Sequence, residues 1–142
     1  MTREVRENEL KILEKLEIES FPDPWSFEGL SDVYHMPFTH FIATVDENDD
    51  ITGAIYYSEI FGEIEIFSLA VFKSERRKGF AEELLAFVEH DGIERIFLEV
   101  RRSNLPAISL YEKHGYKYVS TREKYYDNKE DAFVYVKEMN LR

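Results

Sequence analysis

The sequence contains no cysteine, and that absence removes disulfide bonds, thiolate metal sites and covalent cysteine mechanisms together. No apolar run approaches the roughly 18–20 residues of a membrane span. Met1 to Leu10 is charged and has no apolar core, so neither a membrane helix nor a signal peptide is expected. Positive charge is scarce: 18 lysines and arginines face 29 aspartates and glutamates, for a net charge of −11. A nucleic-acid surface rests on a basic patch, so DNA and RNA are not expected as partners, whereas a basic protein or peptide is. His35, His40, His90 and His114 do not stand at metal-ligand spacing, and no metal is expected. There is no internal repeat, low-complexity tract or linker long enough to divide the chain. A cytoplasmic location is compatible with these absences.

What is present suffices for one core. The 142 residues are 44% hydrophobic and 15% aromatic, which excludes wholesale disorder and predicts one domain over residues 1–142. Val5, Leu10, Ile12, Leu13 and Leu16 approximate a helical stripe and predict a helix over Val5 to Ile18. Pro22 and Pro24 interrupt it, and Ser26 can start a short second helix. Phe21 to Phe41 is dense in aromatic residues, either as a helix pair folded onto a sheet or as a substrate-facing wall. Thr39–Val45 and Ile51–Ser58 read as a hairpin across an acidic turn. Ile64–Val71 reads as a strand with apolar residues on both sides near its end, as in a sheet covered by helices. A helix over Phe80–Glu89, a strand within Ile93–Val100, a helix over Leu105–Lys113 and strands at Tyr116–Thr121 and Ala132–Lys137 complete an α/β (α+β) order. It predicts a central mixed sheet with helices on both faces.

Two features stand out chemically. Arg76, Arg77, Lys78, Gly79, Phe80 and Ala81 join the Leu69-Ala70-Val71 strand end to a helix start. Free backbone N–H groups at a helix start, reached past a glycine, suit an anionic oxygen cluster; three adjacent basic residues are also what a solvated loop contains. Glu99 is an acidic residue in an apolar strand, which is either functional, solvated at the strand end or paired with an arginine.

Read together with the Asn104–Tyr111 segment, these residues resemble the GCN5-related N-acetyltransferase superfamily over nearly the full length. Within it, the chain is most similar to the ribosomal-protein-alanine N-acetyltransferases and their archaeal protein N-terminal acetyltransferase relatives. Arg76-Arg77-Lys78-Gly79-Phe80-Ala81 meets the pyrophosphate motif. Leu98-Glu99-Val100-Arg101, Ser103-Asn104, Ala107-Ile108, Leu110-Tyr111-Glu112 and Gly115-Tyr116 keep the family's order, and Tyr125-Tyr126 with Glu130-Asp131-Ala132 matches its closing signature. Phe21, Pro24, Trp25 and Ser26 resemble its amino-terminal substrate segment, with Asp23 inserted in or replacing the usual shorter spacing.

The resemblance implies a single-domain fold of this family with a mixed, mostly antiparallel sheet, and acetyl-CoA (coenzyme A) as donor. It implies coenzyme contacts from Leu69, Ala70, Val71, Arg76, Arg77, Lys78, Gly79, Phe80, Ala81, Asn104, Ala107 and Tyr111. Asn104 is equally readable as a helix cap. Glu99 is implied as general base, Tyr111 as general acid, and Phe21, Trp25, Tyr34 and Tyr126 as flanking the acceptor. That acceptor is the free α-amine of a protein, in the most similar subfamily the amino-terminal alanine of a small-subunit ribosomal protein. A monomer or weak homodimer is expected. Two other readings stay open at this point: an acetyltransferase of small-molecule amines, favoured by a groove short and closed beyond Glu99, and a non-catalytic acetyl-CoA-binding regulator, favoured by Glu99 locked to an arginine with no path to the thioester.

Overall fold

The computed structural model describes residues 1–139, so residues 140–142 of the expected domain lie outside the described residues. The elements are β1 (Thr2–Glu4), α1 (Leu10–Ser20), α2 (Phe27–Tyr34), β2 (Thr39–Val45), β3 (Ile51–Ile60), β4 (Glu63–Val71), α3 (Phe80–Val88), β5 (Arg95–Arg101), α4 (Leu105–Lys113), β6 (Lys117–Arg122) and β7 (Ala132–Glu138). They form one sheet in the order β1-β2-β3-β4-β5-β7-β6. Only β4 and β5 run parallel; the other neighbours are antiparallel. The expected mixed, mostly antiparallel sheet with helices on both faces is therefore what forms.

Local chemistry sets several boundaries. The Asp46 carboxylate accepts the N–H groups of Asn48 and Asp50 at 2.8 and 3.0 Å, tying off the acidic turn of the β2–β3 hairpin. Ser26 Oγ accepts the Gly29 N–H at 3.0 Å and caps α2. The first helix starts later than its apolar stripe suggests. Val5 is buried, but residues 2–4 form an edge strand, and the Glu9 carboxylate accepts the Arg6 N–H at 2.8 Å and two Arg3 bonds at 2.9 and 2.8 Å. A tertiary anchor thus holds Thr2–Arg6 extended where periodicity alone favours helix.

Each face of the sheet has its own core. Leu84, Leu85 and Val88 of α3 and Tyr111 of α4 pack on Ile64, Ile66, Ile96, Leu98 and Val100. Leu10, Leu13 and Leu16 of α1 and Leu30 of α2 pack on Phe41, Ala43, Ala54 and Tyr56. Truncating one such fully buried leucine to alanine costs on the order of 2–5 kcal/mol.

One irregularity positions the site. Tyr57 pairs with Ile66 and Tyr56 with Ser68, so Phe67 is an extra residue bulged out of β4. The last β4–β5 pair is Ile66 with Leu98, directly before that bulge. Beyond it the two strands separate, β4 continues to Val71 paired only with β3, and β5 continues paired with β7. The middle of the sheet therefore opens into a cleft whose β4 wall presents backbone N–H and C=O groups to a ligand.

Candidate functional site

Two cavities of about 630 and 420 Å³ meet in this cleft. Phe21, Leu69, Arg101, Asn104, Ala107 and Tyr111 line both, so the cavities join along the separated strands and the first turns of α4.

The larger cavity holds most of the residues expected to contact a coenzyme. Leu69, Ala70, Val71, Arg76, Arg77, Gly79, Phe80, Ala81, Asn104, Ala107 and Tyr111 line it. Gly79 is the N-cap of α3 in the left-handed region (φ +85°), and no side chain caps that helix. A Cβ at Gly79 would meet nothing within 4 Å, so backbone conformation rather than crowding requires glycine there. The uncapped helix end, with its N–H groups toward a cavity flanked by two arginines, has the donor chemistry of a pyrophosphate cradle. Arg76 Nε also donates to the Val71 carbonyl at 3.1 Å, fixing the loop against the strand end. Lys78, expected in the cradle, is not a lining residue; its ammonium reaches Glu75 at 3.1 Å instead. Asn104 Oδ1 accepts the Ala107 N–H at 3.3 Å, so the residue caps α4 while lining the cleft.

The smaller cavity takes the other half of the expected set. Phe21, Trp25, Glu99, Tyr111 and Tyr126 line it. Trp25 packs against Tyr56 and Phe67 with ring centroids 5.7 and 6.2 Å away. Tyr34 does not belong to it, and its expected role at the acceptor is corrected. The Tyr34 hydroxyl donates to the Val5 carbonyl at 2.9 Å and its ring stacks edge-on to Phe41 at 5.3 Å, on the far side of α2. Its place in the helix turns it toward β1 and β2, where it closes the second core.

Tyr111 is buried, stands 5.6 Å from the Tyr116 ring and faces both cavities. Burial pushes its phenol well above the ordinary tyrosine range, so it is protonated at neutral pH. Glu99 projects from β5 on the face opposite Ile96, Leu98 and Val100, and Arg122 of β6 forms an ion pair with its carboxylate. Glu99 thus lines the cleft and is at the same time paired with an arginine.

Several residues at the site carried no functional expectation. Glu17 of α1 is 1% exposed; it accepts the Trp25 N–H at 3.0 Å and the Ser68 hydroxyl at 2.8 Å, and so ties the α1–α2 loop to the bulged stretch of β4. Burial raises its carboxyl above the usual range, against those hydrogen bonds. Arg101 is 5% exposed; it donates to Asn128 and Glu130 at 3.0 Å each, pairs with Asp23 and lies 4.0 Å over the Tyr126 ring. Asp23, the departure from the usual loop spacing, thus becomes one end of a strap joining the α1–α2 loop to the β6–β7 loop. A charged residue alternating with apolar ones in β5 was the available signal for Arg101; nothing local marks Glu17 within an acidic helix. Among the described residues no group of histidine, aspartate or glutamate is arranged to hold a metal, and no helix is long and apolar enough to cross a membrane.

Comparison with known proteins agrees with this geometry. The chain is 45% identical over 74 residues to an N-alpha-acetyltransferase of Saccharolobus solfataricus, a match covering 49% of this chain and 44% of that one, so it spans less than half of that relative's length. It is 30% identical over 118 residues, 78% of each chain, to the [ribosomal protein bS18]-alanine N-acetyltransferase of Escherichia coli. The crystal structure of the ribosomal-protein-S18-alanine N-acetyltransferase from Escherichia coli superposes with a TM-score of 0.89 over 100% of this chain and 95% of that one; at 22% identity this establishes the shared fold. Residues 10–116, which span both walls of the cleft, match the acetyltransferase (GNAT) family, and the chain belongs to that family.

Proposed function

We propose that this protein is an acetyl-CoA-dependent N-acetyltransferase acting on the amino-terminal α-amine of a protein. The observation that carries the reading is the joined pair of cavities at the β4–β5 separation, one with an anion cradle and one lined by aromatic and acidic side chains, with Tyr111 facing both. Bound acetyl-CoA, the donor used by this family, supplies the acyl group as a thioester. The uncapped α3 end with Arg76 and Arg77 holds its pyrophosphate, and the free edge of β4 from Leu69 to Val71 aligns its arm.

An α-amino group has a pKa near 7.7–8.0, so the acceptor needs only modest help to become a neutral nucleophile. Glu99, on the wall of the acceptor cavity, takes that proton directly or through one water. The neutral amine would attack the thioester carbonyl carbon, forming the amide bond as the carbon–sulfur bond breaks, and Tyr111, a phenol protonated at neutral pH, would give its proton to the thiolate released. Phe21, Trp25 and Tyr126 flank the incoming chain. An amino-terminal alanine of a basic ribosomal protein is the proposed natural acceptor, supported by the net charge of −11 and by the bS18-modifying relative.

The Glu99–Arg122 pair is also what a non-catalytic acetyl-CoA-binding protein would contain. That Glu99 lines a cavity joined to the donor cavity beside Tyr111 favours turnover instead. The decisive assay incubates the protein with acetyl-CoA and a panel of amino-terminal peptides, lysine-only peptides and small amines, and reads mass gain. Labelling at the α-amine is expected, and labelling only of lysines or small amines overturns the assignment. In the same assay, Tyr111→Phe is expected to lower kcat by about 100-fold or more with acetyl-CoA affinity retained.

A further inference from the structure

Glu99 is one of three charged groups that the sheet brings together from three strands. Glu65 on β4 lies beside Phe97, one step along the same face from Glu99 on β5. Arg122 on β6 reaches across β7 to pair with Glu99, and its guanidinium lies 4.3 Å over the Tyr125 ring. Tyr125 and Tyr126 of the β6–β7 loop also face Glu99 as neutral phenols, and Glu17, Asp23, Arg101, Tyr111 and Asp127 line the same cavity; Arg122 is the cation paired with the Glu99 carboxylate. Two neighbouring carboxylates repel, and the pair takes up protons as a unit unless a fixed positive charge offsets them. In keeping with this, burial and then the charge of Glu99 push the Glu65 carboxyl above the usual range, while Arg122 pulls it back down.

We propose that Arg122 is a positioning residue that, held on Tyr125, aims the Glu99 carboxylate at the acceptor cavity and offsets the charge of Glu65 behind it. The inference rests on Glu99 being the base. The arrangement gives Glu65 a function: it is the neighbour whose repulsion makes the arginine necessary. Arg122 is half-exposed and so can yield as a cationic acceptor enters, leaving the ammonium in its place beside Glu99.

The test measures kcat/KM against pH for the wild type, Glu99→Gln, Arg122→Gln, Arg122→Lys and Arg122→Gln/Glu65→Gln. In parallel, the side-chain carboxyl carbons of Glu65 and Glu99 are titrated by NMR in the protein without donor. Arg122→Gln is expected to move the acid limb of the profile, and the carboxyl titration, upward by about one pH unit. Arg122→Lys leaves the limb close to that of the wild type because it keeps the charge, and adding Glu65→Gln to Arg122→Gln brings the limb back down. A uniform loss at every pH with the limb and titration in place, or a lysine variant indistinguishable from the glutamine one, overturns the proposal and leaves Arg122 a packing residue. If Glu99→Gln keeps the wild-type limb, the base assignment fails first, and the proposal with it.

Discussion

The two halves of the cleft are built by different means. The donor half is made of main chain: a strand edge freed by the Phe67 bulge, a left-handed glycine at residue 79 and the uncapped end of α3. Its side chains are mostly small or apolar, and nearly half of its lining comes from the single stretch 69–81, the rest from residues 20–22, Glu82 and 101–111. The acceptor half is made of side chains from five segments, held by Glu17 to Trp25 and Ser68, by Arg101 to Asp23 and Glu130, and by Arg122 to Glu99. A ligand common to a whole family can be held by backbone groups that most side-chain substitutions leave in place. An acceptor that differs between family members calls for side chains, which can be exchanged one at a time.

If that division is real, a change in one half should leave the other's affinity alone. The largest effect is expected from Asp23→Ala, which deprives the buried Arg101 of a charged partner. Stability should fall by about 2 kcal/mol in urea denaturation, and acceptor KM should rise while the acetyl-CoA dissociation constant stays unchanged. Weakened donor binding in this variant would break the comparison. Gly79→Ala is the reciprocal case. The left-handed conformation costs alanine about 1 kcal/mol, and relief of that strain withdraws the α3 N–H groups, so acetyl-CoA affinity should drop several-fold with acceptor KM retained.

The smallest effect sharpens the role of Glu17. Its carboxyl is raised in the folded state, so the folded protein holds that proton more tightly than the unfolded chain. The resulting stability is present in full below the ordinary value of 4.5 and is lost as pH rises through the raised value. Glu17→Gln should therefore flatten the decline of stability above pH 4.5, read from denaturation midpoints between pH 4 and 8.

Most of the fold was legible from the order of apolar runs and breakers. The Leu105–Lys113 helix has the expected ends because Asn104, Pro106 and Gly115 encode its start and stop locally. The β1 strand was not legible, since three residues that pair only through β2 carry no pattern of their own. Tyr34 was misplaced for a related reason: an aromatic residue in a short helix can face either the cleft or the core, and only the docking of α2 onto Phe41 decides.

By itself the sequence determined the loop proposed to hold the coenzyme, because a glycine at a strand-to-helix turn and a helix start are conformations written in adjacent residues. Only the tertiary structure decided the acceptor half. It paired Arg101 with Glu130, 29 residues away, and Arg122 with Glu99, 23 residues away, and it turned Asp23 from a change of loop spacing into an anchor. Such ion pairs depend on which strands the sheet places side by side and where β4 leaves β5, and that geometry exists only once the chain has closed.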